Sequence, residues 1–250
     1  MFTLRHLPMA AALVAAAACA CTASPARAAA TCGEGVYSYA GFTGDAAMSG
    51  VHATIQQDGP LAVHAGHVAA WIGVVDPRTD NAWLQVGLSA LPGQATSAIY
   101  YEYAAPGRDP VYRQVKTGIS AGQPHTFAVV EQAFERDSWV VWVDGRPVGA
   151  PLHLAGSHSW TAQVLGESWA GGQSGPCNAY SYGFANVQLV KADGGATGIS
   201  GHAVSAPSYL VTHRTRSSFV AASSDDARLR TAAVENQAAP PPVSGIPVTR

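Results

Sequence analysis

Charge is scarce in this chain. The four charged residue types make up 12% of its 250 residues, about half the share of an ordinary soluble domain. That balance excludes a solvated, disordered chain built on charge repulsion. With 14 Lys+Arg against 16 Asp+Glu and few lysines, there is also no basic footprint for a phosphate backbone, so nucleic acid is excluded as a partner. Long apolar runs are missing too. A membrane span needs about 20 apolar residues, and the longest run, Met9 to Cys21, falls short of that. No window beyond that run keeps a helical 3.6-residue period, and no internal repeat of about 20–50 residues is visible.

What is present points to β structure. The hydrophobic share is 48%, with Gly 26 and Pro 16, a composition suited to many short strands joined by turns. The length allows one sizeable domain with a real core.

The N-terminus reads as an export signal. Arg5 and His6 precede the apolar run, and Ala26-Arg27-Ala28 follows it. A basic start, a short apolar stretch and an Ala-x-Ala site define a secretory signal peptide, with cleavage expected after Ala28 or Ala30. A lipoprotein with Cys19 or Cys21 as the lipidated residue is the competing reading, though no Leu stands at the expected spot before either. Residues 1–30 are thus assigned as signal peptide, and the mature protein is expected to be secreted, with no membrane association after cleavage. Of four cysteines, Cys32 and Cys177 remain. In an oxidising compartment such a pair reads as one disulfide, the alternative being two buried thiols.

From Val51 onward, short apolar runs alternate with turn signals at the spacing of an all-β sandwich or barrel. Strands are expected at Val68–Val75, Ala82–Leu88, Ser97–Tyr103, Thr126–Glu131, Trp139–Val143 and Tyr180–Val190. Asp144-Gly145 is the strongest hairpin signal. Runs this apolar fit two sheets packed face to face. Residues 31–190 carry six Lys+Arg and twelve Asp+Glu, net −6, while 191–250 carry six and four, net +2. Ala192 to Ala206 reads as a connecting loop, followed by a last strand pair at Tyr209–Thr212 and Ser218–Ala221. Residues 31–224 are therefore expected to form the sandwich domain. Residues 225–250, which end in a Pro-rich stretch, are expected to be a disordered tail.

Familiar catalytic signatures are missing. There is no Gly-x-Ser-x-Gly elbow, His-Glu-x-x-His, Walker loop or Gly-x-Gly-x-x-Gly. His64 and His67, with His52 upstream, could seat a metal only with a third ligand, and none lies nearby. They read as exposed loop histidines, and neither a metal nor a cofactor is assigned. Asp76 to Asp80 lacks the Gly and closing Glu of a calcium loop and reads as a polar turn. Glu131 and Glu135 are expected at the surface, which leaves no paired carboxyls for sugar cleavage. Two polar residues stand out. Gln85 sits inside the apolar Leu84-Gln85-Val86-Gly87, and Glu167 among the small and apolar residues of Leu165-Gly166-Glu167-Ser168-Trp169. Polar groups on such strands are costly unless partnered.

The order of these segments resembles the eqolisin family of glutamic peptidases. The matching residues are Ala70-Trp71-Ile72-Gly73-Val74, Trp83-Leu84-Gln85-Val86-Gly87-Leu88, Tyr100-Tyr101-Glu102-Tyr103, Ile119-Ser120-Ala121-Gly122, Glu167-Ser168-Trp169 and Phe184-Ala185-Asn186-Val187. The likeness spans roughly residues 65–190. It implies a two-sheet antiparallel β-sandwich of eqolisin-like or concanavalin A-like type, and a secreted acid endopeptidase. Its catalytic pair would be Gln85 and Glu167, and Trp71, Tyr101 and Glu102 would line the cleft. The implied partner is a peptide or protein substrate, bound by a monomer. A non-catalytic sandwich binding a glycan or another surface polymer through exposed Trp and Tyr is the alternative.

Overall fold

The computed structural model describes residues 32–224 except 46, 79–80, 157 and 173–176. The signal-peptide and C-terminal-tail assignments therefore lie outside the described residues. In chain order the strands are β1 (Tyr37–Thr43), β2 (Met48–Gln57), β3 (His67–Val75), β4 (Trp83–Ala90), β5 (Ser97–Ala104), β6 (Val111–Ile119), β7 (His125–Glu131) and β8 (Ser138–Val143). They continue with β9 (Arg146–His153), β10 (Thr161–Trp169), β11 (Ser181–Lys191), β12 (Ala196–Thr197), β13 (His202–Ser205), β14 (Tyr209–Thr212) and β15 (Phe219–Ser223). The described residues form an all-β fold, as their patterning implied.

The strands form two antiparallel sheets. The first runs β13-β1-β10-β3-β4-β5-β6, and the second β14-β15-β11-β2-β7-β8-β9, with β12 paired to β11. Alternation along each strand explains the layering, since successive side chains point to opposite faces. On β3, Val68, Ala70, Ile72 and Val74 point into the main core. On β4, Leu84, Val86 and Leu88 do the same. Val51, Ala53 and Ile55 of β2 and Phe127 and Val129 of β7 meet them from the second sheet. Aromatic pairs bridge the layers: the Phe42 ring of β1 stands edge-on to Phe219 of β15, centroids 4.9 Å apart, and Trp139 meets Trp160 at 5.1 Å. Burying each such side chain contributes roughly 1.5–3 kcal/mol.

Asp144 and Gly145 carry φ of 50° and 74° between β8 and β9, the paired left-handed geometry of a two-residue hairpin turn. Cys32 and Cys177 form a disulfide across 145 positions. Beside it, the Gly33 N–H donates to the Ala170 carbonyl and the Ala170 N–H to the Val36 carbonyl, which docks the chain ahead of β1 against the end of β10.

Two expectations need correction. The stretch read as a loop, Ala192 to Ala206, contains β12 and β13, and β13 forms the edge of the first sheet by pairing with β1 from Ala40↔Ser205 to Thr43↔His202. Its Gly- and Ser-rich composition hid a strand that is supported by pairing rather than by packing. Glu131 is buried rather than at the surface. Its carboxylate accepts the backbone N–H groups of Asp137 and His158 and meets His158 Nδ1 at 3.1 Å. Those donors offset the cost of burying the charge.

Candidate active site on the outer face of the first sheet

The residues on β10, β3, β4 and β5 that do not enter the main core point outward from the first sheet. Register places them in three rows. Gln163, Gly73, Gln85 and Glu102 form one row, Leu165, Trp71, Gly87 and Tyr100 the next, and Glu167, Ala69, Ser89 and Ala98 the third. Tyr39 of β1 extends the third row beside Glu167. Trp71, Tyr100, Leu165 and Ala69 make a small apolar cluster of their own, with Tyr39 and Val204 packed on it. The face is therefore an aromatic floor with polar groups set into it.

Glu167 is 5% exposed, and both of its oxygens are engaged. Oε2 accepts the Trp71 indole N–H at 2.9 Å, and Oε1 lies 2.7 Å from His67 Nε2. Burial without such donors would cost several kcal/mol. Gln85 is half-buried two strands away, and its Nε2 donates to the Tyr100 hydroxyl at 3.1 Å and to Glu102 Oε2 at 3.4 Å. Glu167 thus reaches Trp71 in the central row with one oxygen and His67, beyond its own row, with the other, while Gln85 reaches Tyr100 in the central row. Between Trp71 and Tyr100 in that row stands Gly87, which has no side chain. A Cβ there would strike the backbone of Ala70 and Trp71, so glycine is required by the close approach of β3.

Of the residues the resemblance pointed to, Gln85, Glu167, Trp71 and Glu102 share this outer face. Tyr101 does not. It pairs with Val86, packs against the main core and reaches toward Gly149 of β9. Period two sends it to the opposite side, and Tyr100 faces the site in its place. A surface hollow of about 450 Å³ lined by Asn81, Trp83, Arg108 and Asp109, among others, lies elsewhere and contains none of these residues.

The surroundings are rich in phenols and acid. Burial, then the charge of Glu167, pushes the Glu102 carboxyl above its ordinary range, against an opposing pull from His67. The same two influences, burial first, push the Tyr37, Tyr39 and Tyr100 phenols upward, so all three remain hydrogen-bond donors. At the rim, Tyr37 stacks on Tyr39 with centroids 5.8 Å apart, and Trp169 stacks on His67 at the same separation.

His67 was read as a solvated loop residue, yet it opens β3 beside Glu167. Counting back by twos from Trp71 through Ala69 puts position 67 on the same face, a signal that the histidine spacing to His64 obscured. Tyr37 and Tyr39 were missed because the Gly-containing β1 segment has no continuous apolar run.

Among solved structures, this fold is that of the eqolisins. Scytalido-glutamic peptidase with a peptide-based transition-state analogue superposes with a TM-score of 0.53 at 17% identity, covering 76% of this chain and 98% of that one. The same peptidase with another transition-state analogue inhibitor gives 0.51 at 16% identity over the same shares. SCP-B, an eqolisin peptidase in complex with the tripeptide Ala-Ile-His, gives 0.50 at 15%, again covering 76% and 98%. No protein-family model and no curated protein matches the chain.

Proposed function

We propose that the chain is a secreted endopeptidase of glutamic type, with Glu167 as general base and then acid, and Gln85 as oxyanion donor. The observation that carries this reading is the buried Glu167 carboxylate, which accepts the Trp71 N–H and lies 2.7 Å from His67 Nε2 on the same outward face as Gln85. In this scheme Glu167 removes a proton from water as its oxygen attacks the peptide carbonyl. It returns that proton to the departing amine nitrogen as the C–N bond breaks, leaving a carboxylic acid, an amine and the original carboxylate. The weaker of the two Gln85 N–H bonds, to Glu102, is the one exchanged for the developing oxyanion. Trp71, Tyr100 and Glu102 would bound the substrate, with Tyr37 and Trp169 offering exposed rings to an extended peptide. The Cys32–Cys177 bond supports an oxidising, extracellular location. Signal peptide 1–30, catalytic domain 31–224, tail 225–250 and a monomeric state complete the proposal.

The test is cleavage of an unfolded protein at acidic pH by the mature protein and by Glu167→Gln. Loss of cleavage in the variant is expected, and undiminished cleavage would move the activity elsewhere. The exposed Tyr37 and Trp169 rings also suit sugar stacking. Failure to cleave at any pH, together with retention on a glycan array, would establish the glycan-binding reading instead.

A further inference from the structure

We infer that His67 is a positioning residue for the Glu167 carboxylate, donating Nε2–H to Oε1. This rests on the reading of Glu167 as the acid–base group. With Trp71 Nε1 at 2.9 Å on one oxygen and His67 Nε2 at 2.7 Å on the other, the carboxylate plane is fixed from two sides.

The imidazole is itself held in place. Its ring lies between Trp169, stacked at 5.8 Å, and Tyr37, edge-on at 6.3 Å. The turn leading into it is fixed by one buried amide. Asn178 Oδ1 accepts the N–H groups of His64 and Ala65, while Nδ2 donates to the Ala65 carbonyl and to the hydroxyl of Ser168, the residue after Glu167. A single side chain thus ties the His67 turn to the Glu167 strand. The ring remains 28% exposed, and Nδ1 has no hydrogen-bond partner among the described residues.

The experiment is kcat and KM on one peptide substrate at acidic pH for the wild type, His67→Gln and His67→Leu, with thermal unfolding as a check that each folds. His67→Leu should lose roughly 10- to 100-fold, mostly in kcat. Gln, which keeps an N–H donor, should recover part of that loss. Wild-type kcat in both variants, or a loss in His67→Leu that falls on KM alone or is not recovered by Gln, would overturn the inference. If the wild type cleaves nothing, the peptidase reading fails, and the pairing is judged instead by imidazole 15N NMR of the full mature chain. An Nε2–H tautomer with a slowly exchanging proton, lost in Glu167→Met, is expected. An Nδ1–H tautomer, or a signal unchanged in that variant, would overturn it.

Discussion

Replacing Trp71 by Phe removes one N–H while keeping an aromatic ring on the sheet. Trp71 and Glu167 are each 5% exposed and are joined at 2.9 Å, so the orphaned carboxylate oxygen cannot turn to bulk water. Hydrogen bonds to charged groups contribute about 1.5–3 kcal/mol, and the smaller ring adds a packing loss of its own. A double-mutant cycle with Glu167→Met separates the two, because Met has similar length and accepts no such bond. Denaturant unfolding at neutral pH should show that Trp71→Phe costs about 1.5–3 kcal/mol more in the wild-type background than in the Met background. For a chain of this size that difference corresponds to roughly 3–12 °C in Tm. A coupling energy below about 0.5 kcal/mol would show that the indole and the carboxylate do not depend on each other.

Glu102 gives a pH-dependent counterpart. Because burial and Glu167 raise its pKa in the folded protein above the ordinary value of 4.5, the native state holds that proton more tightly than the unfolded chain. Its ionisation therefore lowers stability as pH rises through 4.5 and the folded value, and the penalty persists above them. Glu102→Gln should remove that fall, so denaturation midpoints of variant and wild type should diverge between about pH 3 and pH 7, with the variant more stable at the upper end. Equal midpoint differences at both pH values would contradict this. Reducing the Cys32–Cys177 bond, or replacing both cysteines by Ser, should cost up to about 4–5 kcal/mol on the chain-entropy estimate for so long a loop, read by urea unfolding with and without reductant. Gly87→Ala should destabilise by about 1–3 kcal/mol, because its Cβ meets β3 backbone rather than a movable side chain. A neutral result would mean that β3 and β4 are less closely apposed.

The sandwich was legible because its central strands bury one whole face. Val68 to Val75 and Ala82 to Leu88 carry enough apolar side chains at period two to declare themselves, and β3 and β4 fall within a residue or two of those limits. Three of the four edge strands were not legible, whereas the fourth, β14, was placed at Tyr209–Thr212. The exposed β6 and β9 and the short β13 are held by backbone pairing, to which sequence pattern is nearly blind. Within the site, Gln85 and Glu167 stood out as polar residues among apolar neighbours, and both lie on the outer face. The choice of Tyr101 failed because a run of Tyr-Tyr-Glu-Tyr does not reveal which tyrosines share the face of Gln85. Register decides that, and it selects Tyr100. His67 escaped notice because its partner lies 100 positions away, and no local pattern marks a contact of that kind.

The most direct test of a shared acid–amide site is the kcat/KM of Gln85→Ala, Glu167→Gln and the double variant on one peptide at acidic pH. Glu167→Gln should lose about 10²- to 10⁴-fold. The double variant should be little worse than Glu167→Gln alone, because the two side chains serve one transition state. Losses that simply multiply, or a Gln85→Ala variant as active as the wild type, would contradict the account.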